Sequence, residues 1–113
     1  MTSSRPLKRV DLLRHELKAL RYILEQFHAG RLAPGDLPPA EDFISPQGRE
    51  MYAAIVGAPN RAAAEAALGE LELEDVDVAS FLRLSGEHYY SYPELVRQRA
   101  AAIRSGALKV EAA

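Results

Sequence analysis

This 113-residue chain has no cysteine, so neither a disulfide framework nor a thiolate metal site is open to it. That fits a reducing compartment. No apolar run approaches the ~20 residues that a bilayer span requires. Met1 to Pro6 lacks the apolar segment of a signal peptide, which makes cytoplasm the expected compartment and gives no expectation of membrane contact. Val, Ile and Thr are sparse, and no stretch alternates with period two, so strands are not expected. There is no glycine-rich phosphate loop, no G-x-S-x-G and no H-E-x-x-H, and the serines have no identifiable base. His15, His28 and His88 lie too far apart for metal-site spacing and read as surface histidines. The expectation is a chain without catalytic centre, cofactor or metal.

What is present suits one compact domain. Apolar residues make up 48% of the chain, enough for a modest core. The net charge is only -2 but is unevenly spread. Met1 to Arg31 holds seven Lys or Arg against three Asp or Glu, and Leu32 to Asp77 holds two against ten. A basic first segment beside an acidic middle implies internal complementarity or a partner with a polarised surface. Direct nucleic-acid binding is disfavoured, because the basic residues are not interleaved with stacking aromatics and the whole chain is acidic.

The spacing of Val10, Leu13, Leu17, Leu20, Leu24 and Phe27 alternates steps of three and four and predicts a helix over 8–28. Arg9, Arg14, Glu16, Lys18, Arg21 and Glu25 fall on its opposite, exposed face, with His15 beside Glu16. Gly30 stops the helix. Pro34-Gly35 and Pro38-Pro39 mark a connection. One helical turn over 40–44 places Phe43 and Ile44 in the core. Ser45 and Pro46 then read as N-cap and first residue of a helix reaching Val56.

Asn60 caps an alanine-rich helix to about Glu72. Asp75 or Asp77 caps a short one burying Val78, Phe81, Leu82 and Leu84. Tyr92-Pro93 opens a final helix ended by Ser105-Gly106. The fold class is therefore all-α: a single bundle of five or six helices around a long N-terminal one. Residues 1–7 and 107–113 are expected to be frayed tails or linker stubs.

Tyr89, Tyr90 and Tyr92 form an aromatic group between two helices. Tyr is enriched at interface hot spots, and it also packs beneath bends with its hydroxyl in water. Both readings stand at this point.

The segment Glu41-Asp42-Phe43-Ile44-Ser45-Pro46-Gln47-Gly48-Arg49-Glu50-Met51-Tyr52-Ala53-Ala54-Ile55 resembles a pattern shared by two families. These are the amino-terminal domain of DnaB-type replicative helicases and the carboxy-terminal domain of DnaG-type primases. In both, an acidic-Phe pair precedes a short link, a Pro, and a helix with a basic residue and an aromatic-x-Ala-Ile face. Phe43, Pro46, Arg49, Tyr52 and Ile55 occupy those places here. Tyr92 to Ala100 is similar to the helix that closes the globular part, and the likeness runs roughly from Leu12 to Arg104. The long, charged first helix resembles the primase side more than the helicase side. The primase domain usually adds a further helical hairpin that docks on the helicase; on this resemblance, either part of that docking surface is lacking here or Pro93 to Ala113 is its beginning.

The resemblance implies a non-catalytic module of the primosome that couples RNA primer synthesis to a hexameric replicative helicase while being monomeric alone. The residues expected to touch the partner are Tyr89, Tyr90 and Tyr92 for contact area, and Arg97, Arg99 and Arg104 for pairing with acidic groups. The near alternative is its helicase counterpart, the amino-terminal domain of a DnaB-type helicase, and two readings from other classes stand beside both. One is an unrelated helical adaptor or oligomerisation domain pairing through Leu13, Leu17, Leu20 and Leu24. The other is a regulatory nucleic-acid binder using Arg9, Arg14, Lys18 and Arg21.

Overall fold

The computed structural model describes residues 6–111, the side chain of Glu87 apart. Among them are five α-helices: α1 (Arg9–His28), α2 (Pro46–Gly57), α3 (Arg61–Glu70), α4 (Val78–Arg83) and α5 (Tyr92–Ser105). Three short 3₁₀ turns, Pro34–Asp36, Ala40–Asp42 and Gly86–Tyr89, fill the connections. The fold is all-α, with α1 as its axis. At 20 residues it is about 30 Å long. One side of it takes α2, and another takes α5 and the Gly86–Tyr89 turn.

Local sequence explains the element ends. Gly30, at φ +76, stops α1, and Gly106, at φ +83, stops α5. Asn60 Oδ1 accepts the Ala63 N–H at 2.8 Å and starts α3, two residues shorter at its far end than the spacing predicted. Of the two candidate caps for α4 it is Asp77 that serves, accepting from Ala79 and Ser80. Asp75 instead turns the chain at φ 63, a left-handed conformation that Asp tolerates better than most residues. In α5 the helix begins at Tyr92, so Pro93 sits second rather than first. First-turn N–H groups have no helical acceptor, so proline is equally at home there.

The core gathers Leu20, Ile23 and Leu24 of α1, Met51 and Ile55 of α2, Ala64 and Leu68 of α3, and Phe43 ahead of α2, all without solvent contact. Phe43 stacks on Tyr52 with centroids 4.6 Å apart. The Tyr52 hydroxyl donates to the Pro38 carbonyl at 2.6 Å and so fastens the proline-rich connection to the core. His28 Nε2 donates to the Ile55 carbonyl at 2.7 Å, joining the far ends of α1 and α2. It is therefore half-buried, as is His15, and of the three histidines only His88 fits the surface reading.

Three expectations need correction. Glu16 and Arg21, placed by residue type on the exposed face of α1, are 1% and 5% exposed. Of the residues expected under α4, only Phe81 is fully buried, and Leu84 lies exposed because a six-residue helix has a single inward face. The tails are tied down where described. Leu7 donates its N–H to the Lys109 carbonyl at 2.7 Å and accepts from Glu111 at 2.8 Å, a parallel bridge between Leu7 and Val110. Backbone groups at the edge of a helical domain gain by pairing with each other. The remaining tail positions, 1–5 and 112–113, lie outside the described residues.

Replacing Tyr52 with Phe keeps the stack but leaves the buried Pro38 carbonyl without its donor. We expect a loss of about 1–2 kcal/mol in urea unfolding, with helicity unchanged by circular dichroism.

Candidate docking surfaces

The six residues expected to meet a partner have different fates. Tyr89 and Tyr92 pack edge to face, with centroids 5.5 Å apart. The Lys18 ammonium lies 5.8 Å and 5.4 Å from the two ring centres, close enough for cation–π attraction. Tyr92 also meets the His15 ring. These two tyrosines fasten the chain ahead of α5 to α1.

The arginines likewise have internal partners. Arg97 donates to the Asp36 carbonyl at 3.2 Å and lies 3.9 Å from Glu94. Arg99 donates to His15 Nδ1. Arg104 bonds the Glu41 carbonyl at 2.9 Å and the Asp42 carboxylate at 2.7 Å. Positions 97 and 104 lie two turns apart on one face of α5, which rests on the connection ahead of α2. Position 99 points to α1.

Tyr90 is different. It is 74% exposed and stands at the lip of a hollow of about 190 Å3 whose lining includes Leu32, Pro38, Pro93, Asp36, Glu94 and Arg97. The Arg97 Nε is buried away from the surface and has no hydrogen-bond partner among the described residues.

A second concavity was not foreseen. A groove of about 770 Å3 runs between the start of α1, the start of α2 and the paired chain ends. Leu12, Leu13, Ile44, Ile103 and Val110 give it an apolar lining, with Lys8 and Arg9 along one part of the rim and Glu74 and Asp75 along another. Val10, 49% exposed, overlooks it.

Beneath the groove wall sits Glu16. Its Oε2 accepts the Ile44 N–H at 2.7 Å, and its Oε1 accepts the Ser45 N–H at 3.2 Å. Ser45 occupies the N-cap position of α2 but makes no side-chain cap bond; its own N–H is what the structure uses. Gly48 makes room for the carboxylate, since a Cβ there would lie 2.4 Å from Glu16 Oε1. Removal from water raises the carboxyl from 4.5 to about 7, against the opposing pull of its two N–H donors, the Ser45 side chain and the Arg49 guanidinium.

A readable signal for this site was present. Leu12 and Leu20 stand four residues either side of Glu16, so all three share one face of the helix. Arg21 also lies inside. Its Nε and Nη1 have no hydrogen-bond partner among the described residues, and Glu25 Oε2 is 3.9 Å away. Burial and the nearby Arg61 charge lower its pKa, while Glu25 and Glu65 act the other way.

Leu13, Leu20 and Leu24 are buried in the chain's own core and Leu17 packs partly buried against it, and Arg21 is unavailable to a polyanion. Among the described residues no group of three or more His, Asp or Glu is placed to hold a metal ion. No helix there is long and apolar enough to cross a membrane. Comparison with family models, curated proteins and solved structures finds no match.

Because folding raises the Glu16 pKa, the folded chain binds a proton that the unfolded chain releases. Stability from this group is complete below about 4.5 and is lost as pH rises through about 7. Asp77, held below its usual 3.8 by Ser80, acts in the opposite sense and only in more acid solution. Urea unfolding should show the chain about 2–3 kcal/mol less stable at about pH 8 than at about pH 5. Glu16→Gln, which keeps an acceptor for both N–H groups, should flatten that slope.

Proposed function

We propose that this chain is a non-catalytic protein-interaction domain of the kind that joins a DnaG-type primase to a replicative helicase. The observation that carries the docking part of the reading is Tyr90. A large aromatic residue held 74% in solvent contributes little to the fold, whereas buried under a partner it supplies the contact area typical of a hot spot. The hollow beside it, lined by Leu32, Pro38 and Pro93 together with Asp36, Glu94 and Arg97, offers that partner a seat of mixed polarity.

The primase part rests on the resemblance of Glu41 to Ile55 and of Tyr92 to Ala100. The arrangement of those residues is compatible with it: Phe43 and Tyr52 stack in the core, Pro46 opens α2, and α5 closes the bundle against α1. In this reading the helicase meets one end of the domain through a small, mixed-polarity contact, as suits a complex that must form and release.

The test is calorimetry of the purified chain with the hexameric replicative helicase of the same organism. Saturable binding is expected, and Tyr90→Ala should weaken it about tenfold or more while leaving thermal unfolding unchanged. Tyr89→Ala and Arg104→Ala should instead lower stability. Absence of binding at tens of micromolar would overturn the helicase reading. Binding indifferent to Tyr90 would remove the docking face from this end of the molecule.

A further inference from the structure

The groove where the chain ends meet carries two features that the fold itself leaves unused. Its apolar lining is the first. Ile44, Ile103 and Val110 belong neither to the buried core nor to the shell of side chains packed on it, and each is only half-buried. Val10, on the first turn of α1, keeps 49% of its surface in solvent. Single apolar residues at a surface are ordinary, but these gather around one hollow of about 770 Å3.

The charges are the second. Arg14, Arg61, Arg97 and Arg104 each pair with a carboxylate of their own chain. Among the described residues, Lys8, Arg9, Lys109, Glu74, Asp75 and Glu111 make no such pair. Lys8, Arg9 and Lys109 stand with Glu111 at the paired chain ends, which leaves that side of the groove cationic. Glu74 and Asp75 make the side next to α2 anionic, where Gln47 donates to the Glu74 carbonyl at 3.3 Å.

An apolar centre between rims of opposite sign calls for a partner with the same pattern reversed. A second copy, related by a two-fold axis through the groove, supplies it. The axis carries the cationic side of each chain over the anionic side of the other, so the match is made twice. The first turn of α1 is the convex part of the patch, and Val10 is its tip. We propose that this groove is the contact face of a symmetric dimer, with Val10 of each chain in the hollow of the other and Lys8 and Arg9 against Glu74 and Asp75 across the rim. Such a dimer differs from the monomer that the resemblance implies, and it is independent of the helicase reading. Tyr22, beside the Tyr90 hollow, lies about ten residues or about 15 Å along α1 from Leu12 in the groove, so pairing leaves the Tyr90 end free.

Sedimentation equilibrium of the purified chain, from about 10 μM to about 1 mM, tests this. The average mass should rise with concentration from that of one chain toward that of two. Val10→Glu should weaken pairing about tenfold or more. Lys8→Glu/Arg9→Glu should do the same, and so should Glu74→Lys/Asp75→Asn, because like charges then meet at both rims. The changed positions are all exposed, and circular dichroism should show helicity unchanged. Mixed in equal amounts, the two charge variants should regain the two-chain mass, since each supplies the sign the other has lost. Tyr90→Ala should pair like the natural chain, whatever its effect on helicase binding. A chain that keeps the mass of one throughout would overturn the proposal and leave the groove to a different occupant. A dimer indifferent to Val10→Glu or lost with Tyr90→Ala, or a mixture that pairs no better than its components, would overturn it equally.

Discussion

A carboxyl group with almost no access to water must find its hydrogen bonds within the protein, and Glu16 finds them at the two peptide N–H groups that lead into α2. Several other features follow from that requirement. The chain must pass close to α1 at Ile44 and Ser45, so α2 starts against the first half of the long helix. Gly48 has to lack a side chain, because the carboxylate occupies the space that one would fill. Phe43, just before the bonded pair, is turned inward onto Tyr52, whose hydroxyl then reaches back to Pro38. Arg49 closes the arrangement by bonding the carbonyls on either side of the same link.

The far side of the molecule is organised by cations in the same way. Arg97 and Arg104 fasten α5 to the connection ahead of α2, and Arg99 fastens it to α1. Lys18 lies against the rings of Tyr89 and Tyr92. The charge imbalance between the first and middle parts of the chain is met partly within the fold, as the pairing of Arg104 with Asp42 illustrates. With these groups engaged internally, Tyr90 alone of the three clustered tyrosines keeps most of its surface in solvent.

The parts of this structure that depend on near neighbours were legible in the sequence. The stripe from Leu13 to Phe27, Ser45-Pro46 before α2, Asn60 before α3 and the glycines after α1 and α5 all act within a few residues of themselves. Phe43 was legible as core for the same reason. What escaped was set by distance along the chain. The acceptors of Arg97, Arg99 and Arg104 lie sixty or more residues away, and so does the meeting of Leu7 with Val110. Glu16 escaped because a charged side chain on a helix is assigned to water by type. Its position between Leu12 and Leu20, with a glycine in the first turn of α2, carried the contrary information. Of the docking residues, the tyrosines were legible as a group, but the sequence could not tell that Tyr90 faces solvent while Tyr89 and Tyr92 face α1.

The central claim is that Glu16 and Gly48 share one space at the junction of α1 and α2. A double-mutant cycle of Glu16→Ala and Gly48→Ala, followed by urea unfolding in an osmolyte that keeps all four proteins folded, measures this directly. In the natural background the new methyl group meets a carboxylate whose oxygens are both held, and Gly48→Ala should destabilise by about 1–3 kcal/mol. In the Glu16→Ala background the space is empty, and the same substitution should stabilise by up to about 1 kcal/mol, the ordinary preference of a helix for alanine over glycine. An effect of Gly48→Ala that is the same in both backgrounds would contradict the account.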